Sequence, residues 1–293
     1  MSWCKVNLIC DRNDAHAIEE ILVANEAISI SMGDERGNNP IYEPEVGETP
    51  LWEVVELSAL FEEKISMETI NSLLQGVPYS KLIIQKLDNQ NWIENYQRNF
   101  KPIKFGRKLW VIPSWNKNPS MSEIIQLRMD PGMAFGSGSH ETTHLCLEYL
   151  DENSPNNISV LDYGCGSGIL GIAALLLGAS EVIAVDIDPQ ALIAAKENSK
   201  VNNVSEKIIV TSPNDLSNLG VKVDFLIANI FSKSLIRLKN EFYNLLNRKG
   251  LIVLSGILEE QLDEVITFYE SSFELTKVRK KNKWCLIELR KCF

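Results

Sequence analysis

The sequence predicts an α/β protein in two parts, a small α+β domain followed by a larger domain built on a doubly wound parallel sheet. Three observations lead there. The first 87 residues run strand, helix, strand, strand, helix, strand; from residue 158 strands and helices alternate with short links; and the first of those later links is a glycine-rich turn, Gly164-Cys-Gly-Ser-Gly168. Alternation of this kind covers both faces of a parallel sheet with helices. With 293 residues and 45% apolar content, the chain has core material for both parts.

The elements follow in order. WCKVNLIC places Cys4, Val6, Leu8 and Cys10 on one strand face, and DAHAIEEILVAN spaces Ala15, Ile18, Ile21 and Leu22 as a helical stripe. ISISM alternates again. After an acidic loop bearing Pro and Gly (Gly33 to Pro50) come LWEVVEL, the helix KISMETINSLL ended by Gly76 and Pro78, and KLIIQKL. This β-α-β-β-α-β order matches the ferredoxin-like unit and sets a first domain at residues 1–87. Residues 88–129 are expected to be a connector: Trp92, Tyr96 and Phe100 recur every four residues as a packing stripe, and KFGRKLWVIP forms short strands about Gly106.

The larger domain is expected over 130–293. Its strands are ISVLDYG, EVIAVDID, KIIVTS, VDFLIANI and LIVLSG, with helices after GCGSG, over PQALIAAKENSKVN and from Ser232 to Leu246. A further helix near Glu259 to Tyr269 precedes FELTKVRK and KWCLIELR, an antiparallel pair closing the sheet edge, with RKKNK between them as a solvated loop.

Net charge is −10, and residues 1–87 alone carry −9 of it, with 15 acids against six Lys and Arg. That balance opposes direct binding to nucleic acid and favours a basic partner. Six cysteines without C-x-x-C spacing argue against a structural zinc site and a disulfide framework; most are expected as small buried hydrophobes, with Cys292 the first candidate for exposure. No run of eighteen apolar residues and no signal-peptide layout is present, so a cytoplasmic protein without membrane insertion is expected, monomeric by default.

The chemistry concentrates at strand ends. In VLDYGCGSGIL a strand passes through Asp162 into Gly164, Gly166 and Gly168, which remove Cβ atoms where a backbone approaches a ligand, and the following helix offers free N–H groups. The next strand ends at Asp186, where a carboxylate can accept two hydrogen bonds from ribose hydroxyls. A dinucleotide turn requires G-x-G-x-x-G, but Ile169 stands at its last glycine position; D-x-G-x-G-x-G is instead the opening motif of S-adenosylmethionine methyltransferases. Asn229 closes VDFLIANIF at the carboxyl edge, either as a cap of the next helix or as a carboxamide that orients an amine without adding charge. Lysine, with a reference pKa of about 10.4, must lose a proton before attack, costing about 4 kcal/mol near neutrality, and a carboxylate would raise that cost.

Together with NWIENYQRNFKPIKFGRKLWVIPSW, DPGMAFGSGSHETTH, LDYGCGSGIL, VDIDPQA, ANIF and LSGIL, these residues give a chain that resembles the ribosomal protein L-eleven methyltransferase family from end to end. The resemblance implies a ferredoxin-like domain that holds the substrate protein, a flexible connector, and a Rossmann-like class I methyltransferase domain. It also implies methyl transfer from S-adenosylmethionine to lysine side chains and the N-terminal α-amine of ribosomal protein L-eleven, with no metal. Matched by position, the cofactor contacts fall on Thr143, Gly164, Asp186 and Asn229; the turn itself adds Gly166. The chain departs from the family's G-T-G-T-H-P-T-T in Ser137, Ser139 and Glu141, and has ANIF for the commoner ANIL.

HETTH, residues 140–144, also fits the H-E-x-x-H pattern of zinc hydrolases. Such a site needs a third ligand; the remaining histidine, His16, lies in the first domain, although a carboxylate could supply it. Directly after Phe135-Gly-Ser-Gly-Ser139, the pentapeptide is expected at a loop-to-helix junction with Glu141 in the first turn, where the helix dipole favours it; His140 and His144 then shape the junction. A non-catalytic adaptor binding a ribosomal protein is the third reading, opposed by the glycine turn, Asp186 and Asn229.

Overall fold

The computed structural model describes residues 3–35, 51–62, 65–87, 102–113, 115–116, 124–129 and 140–292. The chain divides into two compact units, Met1–Asn99 and Phe100–Phe293. The Trp92, Tyr96 and Phe100 stripe and the Ser137 and Ser139 loop lie outside the described residues.

The first unit comprises β1 (Trp3–Asp11), α1 (Arg12–Ala24), β2 (Ser29–Asp34), β3 (Val54–Phe61), α2 (Met67–Leu73) and β4 (Lys81–Leu87). The sheet order is β2-β3-β1-β4, antiparallel at every junction. The period-two and helical stripes meet: Cys4, Val6, Leu8 and Cys10 pack with Ala15, Ile18 and Leu22 in one core. Asp11 caps α1 by accepting from Asn13 N at 2.9 Å. The third strand runs from Val54, later than LWEVVEL implies, because alternation through Val55, Leu57, Ala59 and Phe61 carries its buried face onward. α2 starts at Met67 because the Ser66 hydroxyl accepts from Thr69 N at 3.1 Å, a capping bond that marks the helix start.

The second unit opens with β5 (Ile103–Phe105), β6 (Leu109–Ile112) and β7 (Ile125–Arg128), the last parallel to β6. α3 (Glu141–Glu152) follows, and from its last turn Asp151 accepts backbone N–H bonds from Arg107, Lys108 and Leu109 at 2.5–3.0 Å, fixing the β5–β6 turn. Then come β8 (Ser159–Tyr163), α4 (Ile169–Leu176), β9 (Glu181–Val185), α5 (Pro189–Val201), β10 (Ile208–Thr211), α6 (Pro213–Leu219), β11 (Val223–Asn229), α7 (Ser232–Leu245), β12 (Leu246–Leu258), α8 (Leu262–Tyr269), β13 (Phe273–Lys281) and β14 (Trp284–Lys291).

Seven strands form one sheet in the order β10-β9-β8-β11-β12-β14-β13. The first five are parallel, and β14 pairs antiparallel with both β12 and β13, the expected edge pair. Strand order reverses between β8 and β11, so the chain leaves these neighbours in opposite directions and opens a crevice at their carboxyl ends. The glycine turn follows β8 and Asn229 ends β11, which places both at that crevice.

One sequence expectation is corrected here. Only Asn282 and Lys283 of RKKNK form the turn: Arg279, Lys280 and Lys281 belong to β13 and pair with Glu152 (2.6 Å), Glu259 (2.6 Å) and Glu148 (3.2 Å). The cysteine reading holds, with five buried and Cys292 exposed. Among the described residues, no helix is long and apolar enough to cross a membrane.

Candidate active site

The turn after β8 is built by backbone conformations that side chains resist. Gly164, Gly166 and Gly168 all have positive φ, at +77°, +52° and +78°. A Cβ on Gly164 would collide with Ile230 Cγ2, so the turn and the segment after Asn229 lie in contact. Gly164 N and Cys165 N donate to Val185 O at 2.8 and 2.9 Å, which ties the turn to the end of β9.

Asp186, next in the chain after β9, locks the same turn from its other side. One carboxylate oxygen accepts from Gly166 N at 2.8 Å and the other from Asp188 N at 3.0 Å. Each oxygen has a second lone pair, and the residue is half-buried, so the carboxylate can still accept from two neighbouring hydroxyls. Ile187, 84% exposed, stands beside it as an uncovered apolar face at the crevice. The sequence reading did not single it out; the signal was an isoleucine one position beyond a strand end, where apolar burial had no reason to continue.

Beneath the turn lies Asp162, fully buried. One oxygen accepts from Gly171 N at 2.8 Å, serving the first turn of α4, whose N-cap Gly168 has no side chain to do so. Among the described residues, the other oxygen has no hydrogen-bond partner. Burial, opposed by the Gly171 bond and reinforced by the charge of Asp186, pushes the carboxyl up to about 7.

Across the switch point, Asn229 donates from its amide nitrogen to Thr143 Oγ1 at 3.4 Å. The alternative of Asn229 as a helix cap does not occur: the N-cap of α7 is Phe231, without a side-chain capping bond. Thr143 is itself buried, at 1% exposure, so its hydroxyl serves the Asn229 carboxamide. The structure thus links the five expected residues in two pairs, Gly166 with Asp186 and Asn229 with Thr143, while Gly164 touches the residue after Asn229.

HETTH sits at the loop-to-helix junction. His140 is the N-cap of α3 and its Nδ1 accepts from Thr142 N at 3.4 Å, with Glu141 in the first turn. His144 packs its ring on Phe105 at 4.5 Å, and Nδ1 accepts from Lys281 Nζ at 3.3 Å. Burial, then the nearby Lys281 charge, holds His144 below the ordinary histidine range. Among the described residues, no group of three His, Cys, Asp or Glu side chains converges as a metal site would require.

A doubly wound sheet with an antiparallel closing pair, a D-x-G-x-G-x-G turn and an acid at the next strand end defines an S-adenosylmethionine-dependent methyltransferase of Rossmann-like fold. The particular kind follows from comparison with known proteins. The family model described as "Ribosomal protein L11 methyltransferase (PrmA)" matches residues 2–292, and the chain belongs to that family. It is 36% identical over 297 residues to the ribosomal protein L11 methyltransferase of Acinetobacter baylyi, covering 98% of this chain and 97% of the relative. To that of Pseudomonas putida (strain W619) it is 39% identical over 295 residues, covering 99% and 100%. A crystal structure of ribosomal protein L11 methylase from Lactobacillus delbrueckii subsp. bulgaricus superposes with a TM-score of 0.61 at 32% identity, covering 66% of this chain and all of that one.

Proposed function

We propose that this enzyme methylates amines of ribosomal protein L11, on lysine side chains and the N-terminal α-amine, with the crevice between β8 and β11 as its active site. The observation that carries the site is the pairing of Gly166 with Asp186 and of Asn229 with Thr143, with Gly164 against Ile230 between them. S-adenosylmethionine, when bound, supplies an electrophilic methyl group on a sulfonium. The residues present fit it: a turn without Cβ atoms admits a ligand closely, Asp186 offers acceptors to a ribose, and Ile187 offers an apolar face to a base.

Asn229 orients the incoming amine. Thr143 holds the amide nitrogen, which directs the carboxamide so that its oxygen can accept an N–H bond. A neutral carboxamide leaves the amine pKa where a carboxylate in its place would raise it. Catalysis then comes from alignment and exclusion of water, with Thr143, whose family position implies a cofactor contact, holding Asn229 from the loop-to-helix junction.

The first unit, over residues 1–87, is read as a ferredoxin-like substrate-recognition domain; its β-α-β-β-α-β order and sheet order β2-β3-β1-β4 support this. Its acidity suits a basic ribosomal protein and not nucleic acid. Residues 88–129 connect it to the methyltransferase domain, 130–293, and within that span β5–β7 pack with the second unit. A cytoplasmic monomer completes the proposal. Mass spectrometry of large-subunit ribosomal proteins after incubation with enzyme and isotope-labelled cofactor tests it: label is expected on amines of L11, and label confined to other proteins would reject the substrate while keeping the reaction class.

A further inference from the structure

HETTH is more than a helix start, because three of its side chains, His140, Glu141 and His144, meet one distant partner, the β13–β14 hairpin. His140 packs edge-on against Trp284 with ring centroids 5.0 Å apart. Glu141 accepts from Asn282 Nδ2 at 3.3 Å. His144 accepts from Lys281 Nζ at 3.3 Å, and the same ammonium reaches Glu148 at 3.2 Å. One turn further, Glu152 binds Arg279 at 2.6 Å while that guanidinium lies 5.2 Å over the Tyr149 ring. Residues 141, 144, 148 and 152 fall three or four apart, which is one helix face, and Arg279 and Lys281 are two apart, which is one strand face. The β13–β14 hairpin is therefore zipped along α3 up to its N-terminus, where Thr143 faces away to hold Asn229.

We propose that the tip of the β13–β14 hairpin braces the start of α3 and so positions Thr143 and Asn229 for methyl transfer, with Lys281, Asn282 and Trp284 as positioning residues. This rests on the reading of Asn229 as the amine-orienting residue. The E-x-x-H segment that mimics a zinc motif is, in this chain, the docking face for the hairpin. Lysine at an exposed sheet edge also discourages strand addition, but that role requires no partner, whereas Lys281 has two within 3.3 Å on α3.

The brace carries a pH signature. His144 can accept from the Lys281 ammonium only as a neutral imidazole, and the charged groups facing it are Lys281 on β13 with Glu148 and Glu141 on its own helix; Phe105 of β5 presents an uncharged ring. Protonation removes the acceptor and sets two cations side by side. Because burial and Lys281 lower the histidine pKa in the braced state, the contact is fully present above about pH 6.5, the free histidine value, and weakens as pH falls below it.

The test compares turnover of full-length wild type, Lys281→Met, Lys281→Arg, His144→Gln and Asn229→Ala with S-adenosylmethionine and ribosomal protein L11 across pH 5 to 9. The ratio of wild type to each variant cancels protonation of the substrate amine, which all share. Lys281→Met is expected to lower turnover about threefold to tenfold above pH 6.5, the worth of an ordinary hydrogen bond, with the ratio falling as His144 protonates at lower pH and the Glu148 contact keeping it above one. Lys281→Arg is expected to restore most of the loss, and His144→Gln to flatten the acid dependence of the ratio. A Lys281→Met ratio that stays at one throughout, or one that is constant with pH, overturns the brace. If Asn229→Ala also turns over as wild type does, the underlying site assignment fails with it; if only Asn229→Ala is slow, the assignment stands and the brace alone is rejected.

Discussion

Replacing Asp186 by alanine tests the cofactor side of the crevice most sharply. Its carboxylate holds Gly166 N and Asp188 N and keeps one lone pair on each oxygen for a ribose hydroxyl. Two hydrogen bonds from hydroxyls to a charged acceptor contribute about 1.5–3 kcal/mol each. Their loss is about 3–6 kcal/mol, or roughly two to four orders of magnitude in dissociation constant at 1.4 kcal/mol per decade. Alanine also frees the glycine turn, so Asp186→Asn is the necessary companion. An amide retains one acceptor oxygen, and its affinity is expected between those of wild type and Asp186→Ala. Isothermal titration calorimetry with S-adenosylmethionine reads this directly, with thermal unfolding to show that each variant is folded. A folded Asp186→Ala protein with wild-type affinity would refute the assignment of Asp186 to the ribose.

Other consequences concern the same crevice. Asn229→Ala is expected to lower turnover by about one to two orders of magnitude, consistent with loss of an orienting bond of roughly 1.5–3 kcal/mol, while changing cofactor affinity far less; equal losses in both would argue against a role with the amine. Asp162→Asn is expected to stabilise the protein at pH 8 relative to pH 5. The Asp162 pKa is raised in the fold from 3.8 to about 7, so wild type loses stability as pH rises from the lower value through the upper one, with about 3 kcal/mol of the loss falling between pH 5 and pH 8 at 1.36 kcal/mol per unit. The amide does not titrate, and denaturant unfolding showing a pH-independent difference between the two proteins would contradict this account. Gly164→Ala is expected to destabilise by about 2–5 kcal/mol, from left-handed strain and collision with Ile230; circular-dichroism melting at wild-type temperature would show the turn to be more tolerant than its geometry implies.

Much of this site could be read from local sequence because its determinants are local. A glycine triplet after a strand, an acid ending the next strand and an asparagine ending another each follow from patterns a few residues long, and the parallel alternation brings their carboxyl ends together. The first unit was legible for the same reason: Cys4, Val6, Leu8 and Cys10 alternate and are buried together. What escaped is tertiary. β7, with the sequence IQLR, has too little periodicity to announce a strand and owes its order to pairing with β6. α6 went unread although Ser212 and Pro213 form its cap and first residue, because its short run buries only Leu216. RKKNK reads as a solvated loop until Glu148, Glu152 and Glu259 are known to face it. HETTH carried its own ambiguity, since two histidines four apart share a helix face whatever that face meets. The fold supplies the answer, a basic hairpin, through residues some 140 positions away.

The most direct measurement is a crystal structure of the enzyme with S-adenosylhomocysteine, the product left after methyl transfer. The account predicts ribose hydroxyls within hydrogen-bonding distance of the Asp186 carboxylate, the backbone of Gly164 and Gly166 against the ligand, and the sulfur facing the Asn229 carboxamide across the β8–β11 switch point. A ligand bound elsewhere, or in this crevice with its ribose turned away from Asp186 and its sulfur away from Asn229, would contradict it.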